Sequence, residues 1–188
     1  VHFFSQQPIR SVEDIRQSKP WIWEGDPLVE QVYKGLGVQP IPLSITDVLL
    51  SLQTGMVNTV YASTQGALAL QWFTKVKHVT RLRMGYATGG VLISKKKFDK
   101  LPQSYQTAVK KIATECLLEL VQLIQEDNLK AHKVLEKNDV KWVGLPDEKE
   151  MGRFREAGAA ARKNMAGKYF PPELLGRVLG HLKEFRHR

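Results

Sequence analysis

A chain of 188 residues, 43% hydrophobic and 25% charged, can bury a sizeable core in one domain or two lobes, which excludes an intrinsically disordered polypeptide. Its 28 Lys and Arg against 19 Asp and Glu leave a net charge of +9. That excess is scattered, however, with one triple run at residues 95–97 and a diffuse basic C-terminal third, and it lacks the aromatic-basic interleaving of a nucleic-acid surface. A lone cysteine, Cys116, permits no internal disulfide and reads as a small buried hydrophobe within a helical pattern. The most apolar run, residues 116–124, is too short and too interrupted to cross a membrane. No signal peptide can be read, and because VHFF opens the chain without Met and already in a strand-like run, a preceding segment is expected.

In chain order, residues 1–4 read as a strand, and residues 8–16 as a polar loop with a turn of helix near residues 12–15. Trp21, Ile22 and Trp23 form a short strand whose alternation puts both indoles on one face. Asp26 then caps a helix with Pro27 at its first position, Leu28, Val32 and Leu36 at helical spacing, and Gly37 closing it. Residues 38–43 form a strand made irregular by two prolines. Ser44 and Asp47 form a capping-box variant for a helix that turns Val48, Leu49 and Leu52 inward and stops at Gly55.

Residues 57–61 are the next strand, and the polar turn Ala62-Ser63-Thr64 leads into a helix over residues 65–73. Strands follow around Thr80, Leu82, Met84 and Tyr86, then at residues 89–93. Ser94 caps a short helix, and Pro102 opens a much longer one running to about Lys137, with Ala108, Ile112, Cys116, Leu120, Ile124, Leu129 and Val134 near helical spacing. Its imperfect heptads disfavour a coiled coil and leave an interlobe crossing or brace. One more strand at residues 140–143 and helices over residues 149–165 and 171–185 complete the chain.

The order of elements from Lys19 to Trp72 describes parallel βαβ winding, in which ligands bind where loops leave the strand carboxyl ends. Three such turns, near residues 23–26, 43–45 and 61–63, therefore converge on one pocket edge. The five histidines, at positions 2, 78, 132, 181 and 187, show no ligand spacing, and neither a nucleophile elbow nor a phosphate-binding glycine loop is present. No metal, cofactor or catalytic residue is expected. Residues suited to binding are plentiful by comparison: Trp21, Trp23, Tyr61, Trp72 and Tyr86 offer broad amphipathic rings, and Ser63, Thr64 and Gln65 offer hydroxyls and helix N-terminal amides. For Trp72, core filling is as good a reading as the pocket.

The run SVEDIRQSKPWIWEGDPLVEQVYKGLGVQPIPLSITDVLLSLQTGMVNTVYAS resembles the core of the substrate-binding proteins of tripartite ATP-independent periplasmic (TRAP) transporters, the dicarboxylate-receptor-like family. Asp14, Lys19, Gly37, Pro40, Pro42, Val48, Leu52, Gln53, Thr54, Gly55 and Val57 match, with LQTG the most specific stretch. KKKFDKLPQSYQTAVKKIATE and PPELLGRVLGHL resemble the family's run into a long helix and its closing helix.

The resemblance implies an α/β, two-lobed, periplasmic-binding-protein-like (type II-like) fold with a long interlobe helix and an incomplete N-terminal lobe. On that mapping residues 1–10 are an interlobe strand, 11–76 the second, ligand-binding lobe, and 77–101 strands returning to the first lobe. Residues 102–137 are the bracing helix, and 138–188 the C-terminal strand and helices. It implies a periplasmic receptor that passes a small organic acid to TRAP permease subunits, with no enzymatic activity and no nucleic-acid partner. The family's carboxylate-binding Arg falls on Trp21, its pocket Asn on Ala62 with Ser63 after it, and its pocket aromatic on Ile45. An indole cannot replace a bidentate guanidinium, so the expected ligand has a larger apolar part stacked on Trp21 and Tyr61, with any carboxylate on Ser63 or backbone amides. The expected ligand set is Trp21, Trp23, Ile45, Tyr61, Ala62, Ser63, Trp72 and Tyr86. Two other readings are a sensor module of the same fold and an α/β enzyme with part of its site in a preceding segment.

Overall fold

The computed structural model describes residues 1–186; His187 lies outside the described residues. The elements, in order, are β1 (His2–Ser5), α1 (Val12–Gln17), β2 (Trp21–Trp23), α2 (Pro27–Leu36), β3 (Ile41–Leu43), α3 (Val48–Thr54), β4 (Thr59–Ala62) and α4 (Thr64–Ala69). They are followed by β5 (His78–Arg83), α5 (Lys95–Phe98), α6 (Gln103–Lys137), β6 (Lys141–Val143), α7 (Glu148–Met165) and α8 (Pro172–Arg186).

Local chemistry sets most of the boundaries. Ser11 and Asp14 close a reciprocal capping box on α1. Asp26 accepts from the Val29 amide at the start of α2, and Gly37, at φ 70°, ends that helix in the left-handed region. Gly55, at φ 72°, ends α3 the same way.

The sheet is mixed. β1 lies antiparallel between β4 and β5, β6 runs parallel to β5, and the parallel pair β2 and β3 joins β4 through the bridge Pro20–Thr59. Every strand except β1 therefore points one way, so the carboxyl ends of β2, β3 and β4 emerge at one edge. Two apolar layers cover the faces. Phe4, Trp21, Val60, Trp72 and Leu135 sit in one, and Phe3, Ile15, Tyr33 and Leu36 in the other. Each such side chain, moved fully out of water, contributes about 1.5–3 kcal/mol. α2 packs so closely on α7 that a Cβ on Gly35 would lie 3.0 Å from the Ala157 carbonyl oxygen.

Several expectations are corrected. Residues 84–94 form no strand: Val91 and Leu92 are exposed and no neighbouring chain pairs with them. The helix expected over residues 65–73 breaks at Gln71, whose φ of 57° turns Trp72 into the core on a separate 3-10 turn. α2 buries Val29, Tyr33 and Leu36 while Leu28 is exposed, a face rotated by one position. Ser44 accepts from the Thr46 amide rather than closing a capping box with Asp47. α6 buries Ala131 and Leu135 instead of the expected apolar stripe, and Cys116 is exposed, because the first half of that helix stands clear of the sheet. None of the described helices is long and apolar enough to cross a membrane.

Candidate functional site

The edge where β2, β3 and β4 end is tied together by Tyr61, the next-to-last residue of β4. Its hydroxyl donates to Asp26 Oδ2 at 3.1 Å and accepts from the Trp23 amide at 3.2 Å, so one phenol fixes the whole β2–α2 turn. That turn is tight: the Asp26 amide donates to the Trp23 carbonyl, and Gly25 sits at φ 79°, a conformation glycine adopts without a Cβ clash. Asp26 Oδ1 meanwhile caps α2. Burial pushes the Tyr61 hydroxyl well above the usual phenol range, although the Trp23 amide pulls the other way, and the Asp26 carboxylate raises it further. Tyr61 therefore stays a protonated donor.

Beneath this bridge lies an aromatic stack. The Trp21 and Tyr61 rings are 4.9 Å apart and nearly parallel, and Trp72 meets Trp21 edge-on at 5.3 Å. The Trp21 indole donates to the Leu43 carbonyl at 3.0 Å, which ties the third turn to the other two. Trp21 is only 2% exposed and Trp72 only 1%, so both support the edge from within, whereas Trp23, on the same strand parity as Trp21 and the last residue of β2, is 51% exposed. Ile45, Ala62 and Ser63 are half-buried at the two adjoining turns. The structure brings Trp21, Trp23, Ile45, Tyr61, Ala62, Ser63 and Trp72 to one end of the sheet. Tyr86 is not among them, being 85% exposed on the irregular segment after β5.

Two amides of the helix N-terminus expected to hold a carboxylate are already engaged. Asn128 of α6 accepts from the Gln65 amide at 3.2 Å and from the Thr64 hydroxyl at 2.9 Å, and Ser63 Oγ accepts from the Gly66 amide at 3.0 Å. Ser63 keeps its own hydroxyl hydrogen for a ligand. Nothing in the sequence pointed to Asn128, which lies 64 positions from Thr64 on a helix read only for its apolar spacing. The sequence marks Asp26 as a cap, and its second role follows only from the position of Tyr61 on β4. Across residues 21–27, 43–47 and 61–65 the only ionisable groups besides Tyr61 are Glu24, Asp26 and Asp47, with no Lys, Arg or His.

A second polar knot sits farther along the same sheet. His132 of α6 stacks on Trp142 of β6 at 4.0 Å, and His2 meets that indole edge-on at 5.5 Å while its Nδ1 donates to the Thr80 carbonyl at 2.7 Å. No group of His, Cys, Asp and Glu suited to a metal ion occurs among the described residues.

Comparison with known proteins places these features in context. The family described as bacterial extracellular solute-binding protein, family 7, matches residues 1–168. Comparison with curated proteins gave no match. Among solved structures, a TRAP periplasmic solute-binding protein from Ochrobactrum anthropi, with its C-terminus bound in the ligand-binding pocket, is 19% identical with a TM-score of 0.80, covering 99% of this chain and 57% of that one. One from Pseudomonas putida F1 with bound D-glucuronate is 23% identical with a TM-score of 0.77, covering 94% and 56%. One from Xanthobacter autotrophicus Py2 with bound β-D-galacturonate is 20% identical with a TM-score of 0.77, covering 89% and 55%. The chain thus shares the α/β architecture of these proteins and spans about half the length of each.

Proposed function

The chain belongs to the bacterial extracellular solute-binding proteins of family 7, and from that premise we propose that it is the receptor part of a TRAP-type transporter, working in the periplasm. It binds a small organic acid, or one with an apolar part, and hands it to the membrane permease. The observation that carries the proposal is the junction at Tyr61, which holds three strand-end turns in one fixed edge. An α/β sheet offers its ligands that kind of edge. The relatives with bound glucuronate and galacturonate support the organic-acid class.

The ligand-facing set on this edge is Trp23, Ile45, Tyr61, Ala62 and Ser63, with Trp21 and Trp72 holding the floor and Tyr86 approaching only if its segment folds over the ligand. Binding needs no covalent chemistry. A ligand touching a second surface only in a closed state biases an open–closed equilibrium toward that state.

Isothermal titration of the full chain with glucuronate, galacturonate, succinate and 4-aminobutyrate tests the proposal, together with Ile45→Ala and Tyr61→Phe. Saturable binding of at least one compound, weakened at least about tenfold by each variant, is expected, since loss of a buried contact or a positioning hydrogen bond costs on the order of 1.4 kcal/mol or more. No binding by any of the four, or binding that both variants leave unchanged, would overturn it.

A further inference from the structure

The turn from β4 into α4 has little local support. α4 has six residues, and a helix shorter than about 12 residues is marginal in water without tertiary contacts. Ala62 and Ser63, two of the residues proposed to face the solute, stand immediately before it. Ser63 Oγ caps the helix from within by accepting from the Gly66 amide. Further support comes from α6. Thr64 is only 5% exposed, and its hydroxyl donates at 2.9 Å to both the side-chain oxygen and the main-chain carbonyl of Asn128. The Gln65 amide donates to the same side-chain oxygen at 3.2 Å. The carboxamide is itself anchored, because its Nδ2 donates to the Ile124 carbonyl one turn back on α6 at 2.7 Å. A buried hydroxyl left without an acceptor bears its full desolvation cost, so Thr64 is held to Asn128.

Asn128 lies where the exposed half of α6 gives way to the half that buries Ala131 and Leu135. We infer that Asn128 is a positioning residue for the solute: it fixes the β4–α4 turn from α6, and through that turn it sets where Ala62 and Ser63 meet the ligand. It acts through Thr64 and Gln65 rather than on the solute. The edge is then braced from two sides, with Tyr61 holding the β2–α2 turn and Asn128 the β4–α4 turn, so the placement of α6 is felt by the bound solute. This rests on the solute-receptor proposal and adds to it the residue that links its edge to α6.

Isothermal titration of the full chain with glucuronate, galacturonate, succinate and 4-aminobutyrate, run beside urea unfolding, tests this on Asn128→Ala, Thr64→Val and Thr64→Ser. For each compound that the wild-type chain binds, Asn128→Ala and Thr64→Val weaken the affinity of the folded chain at least about fivefold, whereas Thr64→Ser, which keeps the hydroxyl, stays within about twofold of wild type. A purely structural brace would lower the urea midpoint and leave the affinity of the folded chain unchanged. Leu135→Val, about two turns beyond Asn128 on the same helix, shows that pattern. Thr64→Val probes the bond from its other side, so the outcome does not depend on Asn128→Ala folding. The double variant binds no worse than the weaker single, as two residues acting through one contact must. Affinity unchanged by Asn128→Ala or by Thr64→Val, or weakened equally by Thr64→Ser or by Leu135→Val, overturns the inference while the receptor stands. If the wild-type chain binds none of the four compounds, the receptor proposal falls and takes this inference with it.

Discussion

Two halves of this chain are built from the same kinds of residue and meet opposite fates. Around the sheet, Phe4, Val60 and Leu135 are fully buried, whereas on residues 84–94, on the first half of α6 and on α8, Leu92 is 94% exposed, Leu118 64% and Phe185 75%. α6 contains both regimes in one continuous helix. It is buried only at Ala131 and Leu135, close to where Asn128 meets α4 and His132 meets Trp142. Apolar spacing along a helix states which face can be buried; an opposing element decides whether it is.

The sharpest way to break this contrast is to truncate one large apolar side chain in each half. Trp21→Ala deletes a buried indole that touches Tyr61, Trp72 and the Leu43 carbonyl, and a loss of about 3–5 kcal/mol is expected in urea unfolding. Leu118→Ala, on the exposed half of α6, should stay within about 0.5 kcal/mol. Equal losses at the two positions would mean that the exposed half is packed in solution. A smaller effect is expected where two helices touch: Gly35→Val pushes a side chain into the Ala157 carbonyl, costing about 1–3 kcal/mol as the helices part. Gly180→Val on α8, where a Cβ meets nothing within 4 Å, tests the same change with no neighbour to displace.

These contrasts also explain what could be read from the sequence. Caps and stops were legible at Asp26, Gly37, Gly55 and Pro102, because the reason for each residue lies within four positions of it. The convergence of three turns was legible because β-α-β order fixes where strand ends lie. The rotated face of α2, the break at Gln71, the bond from Thr64 to Asn128 and the exposure of Cys116 were not, since each depends on a contact far away in the chain or on the lack of one. Trp21 shows both sides of this: its strand could be placed, but its burial under Tyr61 could not.

A pH scan sharpens the contrast with a smaller effect. Burial holds the His2 imidazole below its ordinary value of 6.5, and Arg83 and His132 add to that, while the Thr80 carbonyl opposes it. The charged form is therefore less welcome in the folded chain than in the unfolded one. The stability contributed by neutral His2 is complete above the unfolded value and is lost as pH falls below it through the lower folded value. Between pH 7 and pH 5 the urea midpoint of the wild-type chain should drop more than that of His2→Gln. His181 lies on exposed α8, and replacing it with Gln should leave the wild-type drop intact. If His181→Gln removes the drop and His2→Gln does not, the sheet is not where protonation is resisted.

The smallest expected effect is the most direct probe of the exposed half. Cys116 is solvent-exposed midway along α6, and an accessible thiol reacts at a rate set by its thiolate fraction rather than by opening of the fold. An aromatic disulfide reagent should label it in the native chain at a rate close to that of the urea-unfolded chain, with no change in unfolding midpoint. A native rate slower by a factor of about ten or more would require an opening free energy of at least about 1.4 kcal/mol at that position. Protection of that size would mean that a surface covers this stretch of α6 in solution. Adding unlabelled chain to a fixed, labelled concentration would then tell whether the cover is a second copy, since only that cover becomes more complete as the chain is concentrated.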